Sequence, residues 1–168
     1  MMRSSANQNC RFNRLRRGTT VVETALVLPV FLLFVLGIIE FGHAQLVKNM
    51  LRGACREGAR LGTTEGVSSA QVELRVREVL GSAVDVDAVS VYVKDAGVYD
   101  EGGSAPTSGT ALEALPDIEL SDAEPRHLFL VRARVNYNDV AVLPMSIPYL
   151  GNYLGDLVLE GQAFMRHE

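Results

Sequence analysis

The sequence predicts an α+β protein: a long N-terminal transmembrane helix continuing into a small exported domain with a short helix and an antiparallel sheet of about three strands. Three observations carry this reading. Thr24 through Ile39 contains no charged residue. Ser68-Ser69-Ala70-Gln71 has the Ser-x-x-Gln form of a helix-opening capping box. Val89-Val91-Val93 and Phe129-Val131-Ala133-Val135-Tyr137 alternate with more polar neighbours, as half-buried strands do.

Residues 1–18 hold Arg3, Arg11, Arg14, Arg16 and Arg17 and no acid, and they show no hydrophobic period. They are expected to be an unstructured cytoplasmic leader. The formal net charge of -4 hides an asymmetry. All 20 acidic residues follow Gly18 and meet only 11 of the 16 basic ones, so an acidic body follows a basic arm. That is the charge order of a chain whose N-terminus stays in the cytoplasm while its C-terminal part is periplasmic or extracellular. An acidic body also speaks against nucleic acid as a partner.

Residues 19–39 form the apolar segment, and membrane lipid is its expected surrounding. As a helix of 21 residues it spans roughly 31 Å at about 1.5 Å per residue, close to a bilayer core. Pro29 removes one backbone donor, which predicts a slight kink there. Glu23 is out of place in such a run, because a carboxylate in apolar surroundings costs several kcal/mol, on the order of 3 by insertion scales. Two accounts of it stand side by side. A chain beginning at Thr19 would carry an α-amino group one helical turn before Glu23, on the same face, where the two charges could pair. Alternatively Glu23 lies in the headgroups, favoured by the helix dipole.

Residues 40–62 continue the helix into water. Phe41, Ala44, Val47, Leu51, Ala54, Gly58 and Leu61 make a stripe of helical period, and Arg52, Arg56 and Arg60 fall elsewhere at four-residue spacing, as a solvated face. Cys55 reads as a small buried thiol. After a break at residues 62–66, the capping box opens a short helix to about Leu80, with Val72, Val76, Val79 and Leu80 inward and Gly81 as its stop. Residues 96–125, rich in Gly, Ser, Pro and acids, read as a long exposed loop. Leu157 to Met165 reads as the last strand. The domain plan is therefore 1–18, a basic leader; 19–62, the transmembrane and extended helix; and 63–168, the exported α+β domain.

Signs of catalysis or a cofactor are lacking in the sequence. His43, His127 and His167 are far apart without metal-ligand spacing. Phosphate-binding, dinucleotide and nucleophile-elbow glycine motifs are missing. The Asp85-Val86-Asp87 and Asn136–Asp139 stretches match no calcium loop. No catalytic residue, metal ligand or cofactor is assigned, and the chain is expected not to be an enzyme.

Two stretches together resemble a known family. Gly18-Thr19-Thr20-Val21-Val22-Glu23 ahead of an apolar run resembles a type IV prepilin processing site, a glycine with glutamate as the fifth residue after it. Glu23 to Pro29, followed by Ala54-Cys55-Arg56-Glu57-Gly58-Ala59-Arg60, is similar to the TadE-like proteins of bacterial tight-adherence (Flp) pilus assembly. The likeness lies in residues 16–62. It implies a single-pass minor pilin or pseudopilin of the inner membrane, with a prepilin peptidase and other pilins and Flp/Tad assembly proteins as partners. Gly18 and Thr19 would flank the cleaved bond, and Glu23 would pair with the new amine. Pro29, Arg56, Glu57, Gly58, Ala59 and Arg60 carry over as family-motif positions. Thr24 stands where the archetype has an aromatic residue. The alternative is a secreted soluble binding or adhesion protein released by a signal peptidase at Gly42-His43-Ala44, although Glu40 lies just before that site.

Overall fold

The computed structural model describes residues 9–81, 84–100, 109–142 and 157–168, with side chains described from residue 20 onward except Thr110. The described chain divides into two units, residues 1–41 and 42–168. The described residues of the first unit are helical. Helix α1 runs Asn9–Gly62 with Pro29 inside it, so residues 9–18 are helical where an unstructured leader is expected. Its apolar part is exposed apart from a half-buried Val35, with Val21, Phe34 and Phe41 each at 67%. The stretch from Thr20 onward is long and apolar enough to cross a membrane.

The second unit has the α+β make-up that the sequence predicts. Ser68 caps helix α2, Ser69–Leu80, through its side chain, and Gln71 returns the bond to the Ser68 amide, so the capping box is complete. Gly81 ends α2 in right-handed conformation, its N–H bonded to Arg77 O, and not as a left-handed glycine cap. Strands β1 (Val89–Asp95), β2 (Leu128–Asn136) and β3 (Val158–Arg166) form an antiparallel sheet in sequence order. Val91 faces Ala133, and Ala133 faces Gly161 across the sheet. Short helices α3 (Gly109–Glu113) and α4 (Tyr137–Val140) lie in the connections.

The C-terminal part of α1 belongs to this unit's core. Val47, Leu51, Ala54, Cys55 and Ala59 join Val72, Val76 and Leu80 of α2 and Phe129, Val131, Ala133 and Val135 of β2 in one buried cluster. Fully burying a side chain such as Leu51 or Phe129 contributes about 2 kcal/mol. The stripe on α1 is therefore displaced from the one expected. Ala59 and Gly62 are buried and Leu61 is only half-buried, while Cys55 is buried as expected.

Residues 96–125 read as an exposed loop; 101–108 lie outside the described residues, and the described part is only partly exposed. Leu112 and Leu115 pack with Ala96 and Leu130 on the sheet face opposite α1, forming a second small core. Further along, Leu120 is fully buried in the main core. Ser69 Oγ donates to Ile118 O at 2.6 Å, and Leu120 N–H donates to Ser69 Oγ at 3.0 Å, fixing this connection to the start of α2. Polar composition hid the segment because its few large apolar residues sit at irregular intervals, which no periodic pattern reveals.

Candidate functional site

The chemistry-bearing positions fall into two groups, one in each unit. In the first, Gly18 and Thr19 lie within α1, and their side chains are outside the described residues. Glu23 is exposed on the same helix, one turn beyond Thr19. Thr24 Oγ1 donates to Thr20 O at 2.8 Å, so this hydroxyl is spent on the helix's own carbonyl. In an intact helix the nitrogen of residue 19 is a peptide amide, which carries no charge. Only cleavage before Thr19 would turn it into an amine able to pair with Glu23.

The second group is the Arg56-Glu57-Gly58-Ala59-Arg60 stretch, whose parts divide by face. Gly58 and Ala59 are buried, and Arg56 and Arg60 are exposed. A side chain on Gly58 would collide with Val76 Cγ2 and stand 3.4 Å from Val72 O, so the glycine lets α2 approach α1 closely. Glu57 pairs with Arg60 at 3.1 Å and with Arg75 of α2 at 3.4 Å. Those two hydrogen-bonded guanidinium groups, Arg60 first, hold the Glu57 carboxyl below the usual carboxylate range. The motif is a seat for α2, with small residues beneath and an ion pair at the rim.

Four contacts that no sequence pattern singled out complete this seat. Gly161 of β3 faces the helix so closely that a Cβ would lie 2.5 Å from Arg52 N and Leu51 C. An isolated glycine in a strand is the signal that could have flagged it. Beside it, Cys55 Sγ donates to Gly161 O at 3.3 Å. At the helix end, His167 Nδ1 donates to Gly62 O at 3.0 Å, and Glu168 N–H donates to Thr63 O. These bonds satisfy carbonyls that a helix terminus otherwise leaves open.

Burial pushes the Cys55 thiol up to about 12, outweighing a backbone hydrogen bond and the Arg132 charge. With its folded value raised, the neutral thiol contributes stability fully below the unfolded value near 9. That contribution is lost as pH rises from there through about 12. A Cys10→Ser variant isolates the site for labelling. At pH 8 its alkylation should be roughly a thousandfold slower folded than denatured, from thiolate fraction alone, as mass spectrometry over time would report. Comparable rates in the two states would place Cys55 outside the core.

Among the described residues, no three potential metal ligands gather. His127 Nε2 and Asp95 Oδ1 lie 2.8 Å apart, half-buried, and Asp95 also accepts from Gly97 N–H at 2.7 Å. This is a local brace between β1 and the start of β2.

The glycine, the glutamate and the helix seat now stand in one continuous stretch. Residues 18–60 match the family model of TadE-like protein. The match begins at the glycine before Thr19 and ends at the last arginine of the motif. The TadE-like segment therefore includes the exposed apolar helix and the part of α1 that holds α2 and β3. A match to this family model suggests involvement in tight-adherence pilus assembly. No curated protein and no solved structure matches the chain.

Proposed function

We propose that this protein is a minor pilin or pseudopilin-like component of a tight-adherence (Flp) pilus assembly or secretion system. In this reading the basic arm stays in the cytoplasm, the apolar part of α1 crosses the inner membrane, and residues 63–168 are displayed outside. A prepilin peptidase cuts between Gly18 and Thr19. The freed amine of Thr19 then pairs with Glu23, within one chain or between packed chains, which offsets the cost of a carboxylate at the edge of an apolar helix. The domain itself carries out no catalysis and serves as the displayed part.

The supporting observation is the TadE-like match, which starts at Gly18 and takes in Glu23 on a helix apolar enough to span a bilayer. N-terminal sequencing of the protein extracted from membranes tests the cleavage, and the expected first residue is Thr19. A chain that keeps its leader rejects processing. One that starts at Gln45 and leaves the membrane supports the secreted-protein alternative. Replacing Glu23 by alanine separates pairing from mere residence in headgroups. Pairing predicts lost assembly with insertion preserved, whereas residence predicts normal piliation.

A further inference from the structure

The exported part of α1 has a second face that the core does not use. Gln45, Asn49, Arg52, Gly53, Arg56 and Arg60 are exposed and recur at intervals of three and four, so they share one side of the helix. Arg60 is held by Glu57, but among the described residues no carboxylate lies within ion-pair reach of Arg52 or Arg56. Like charges one turn apart weaken a helix, so an unrelieved arginine row is costly to keep. Beside it, a Cβ on Gly53 would meet nothing within 4 Å, leaving the helix backbone open to close approach.

The complement lies in the same unit. Residues 95–125 contain no Lys or Arg. Most acids there have local partners: Asp95 has His127, Asp100 has Arg166, Glu113 has Arg134 and Asp117 has Lys94. Glu119 spends its carboxylate on the Ser69 and Ser121 amides. Glu101 lies outside the described residues, and Asp122 and Glu124 are exposed and without an ion pair among the described residues. They follow Leu120, which sits beside Gly62 at the end of α1. Gly62 is six residues beyond Arg56, about 9 Å further along the helix axis, so Leu120, from which this edge continues, is offset from the arginines.

We infer that the Arg52–Arg56 face binds the Asp122–Glu124 edge of a second copy of this chain. The two surfaces differ and are offset along the axis, so the contact is head-to-tail and can be repeated from copy to copy. The inference rests on the pilus reading only in taking copies to stand side by side in one membrane.

Full-length, uncleaved protein in phosphatidylcholine liposomes tests it independently of processing. With Cys10→Ser throughout, one population carries Gly53→Cys and the other Ser121→Cys, and a short bis-maleimide reports their contact. Crosslinking is expected between unmodified faces. It should fall about tenfold in Arg52→Glu/Arg56→Glu and equally in Asp122→Lys/Glu124→Lys, and return when the two variants are mixed. Recovery on mixing also shows that both variants fold. Unchanged yields in either variant would give the face to some other acidic partner and overturn the inference. Loss in both without recovery on mixing would overturn it too.

Discussion

Gly161→Val is expected to unfold the α+β unit or to destabilise it by about 3 kcal/mol or more. A Cβ at that position would stand 2.5 Å from Arg52 N and Leu51 C and 2.8 Å from Leu51 Cβ. The obstacle is helix backbone, which cannot rotate away as a side chain could. Either α1 lifts off β3, breaking the Cys55–Gly161 bond and opening the core around Leu51, or the strand buckles. Denaturant unfolding of the full chain in detergent, followed by far-ultraviolet circular dichroism, measures the loss. Faster alkylation of Cys55 in the same variant would locate the damage at this seat. A variant as stable as the parent, with Cys55 still protected, would show that the helix does not sit so tightly on β3.

The second large effect is expected at Arg132. The alternation of β2 places this arginine on the solvent side with Leu130 and Arg134, yet it is only 1% exposed. Its guanidinium donates through Nη1 to Gly109 O and through Nη2 to Glu160, and its Nε has no hydrogen-bond partner. Glu160→Leu would leave a buried cation holding one carbonyl. Breaking a buried pair from one side costs about 3–5 kcal/mol, and the low end applies here because Glu160 is partly in water. The double variant Arg132→Met/Glu160→Leu removes both charges and should recover most of that loss. Thermal unfolding of the two variants compares them directly. If the single variant is harmless, the charge finds water in the folded state and the covering segment is loose.

Arg132 also marks where sequence reasoning fell short. A period of two assigns faces, but it assigns solvent to one of them only if nothing covers that face. Here Leu112 and Leu115 cover it, and a side chain on Gly109 would strike Arg132 Nη2 and Glu160. The covering segment comes from a stretch so rich in Gly, Ser, Pro and acids that it reads as loop. Its contribution is a few apolar side chains and backbone carbonyls, which carry no pattern of their own.

The α1 stripe was only partly legible for a different reason. A helix made largely of Ala, Gly and Cys beside arginines shows no sharp contrast between its faces. Val47, Leu51, Ala54 and Gly58 can be read from spacing and Cys55 from its residue type, whereas the burial of Ala59 and Gly62 follows from α2 and Leu120 arriving on that side. The motif residues themselves were legible as residues. Gly58 on the apolar stripe and Arg56 and Arg60 on a solvated face were legible too, whereas the burial of Ala59 and the clamping of Glu57 by Arg75 were not.

What the sequence determined by itself is whatever depends on neighbours along the chain: the uncharged run from Thr24 to Ile39, the basic arm before it, the glycine and glutamate around Thr19, the capping box and the three strands. Each rests on local periodicity, charge order or a capping bond across three residues. Only the tertiary structure decided which side of α1 faces the sheet, why Gly58 and Gly161 must be small, and how a polar segment comes to bury Arg132. Those outcomes depend on the approach of residues up to about a hundred positions apart, such as Cys55 and Gly161. Close packing acts between surfaces, and a surface exists only once the chain has folded.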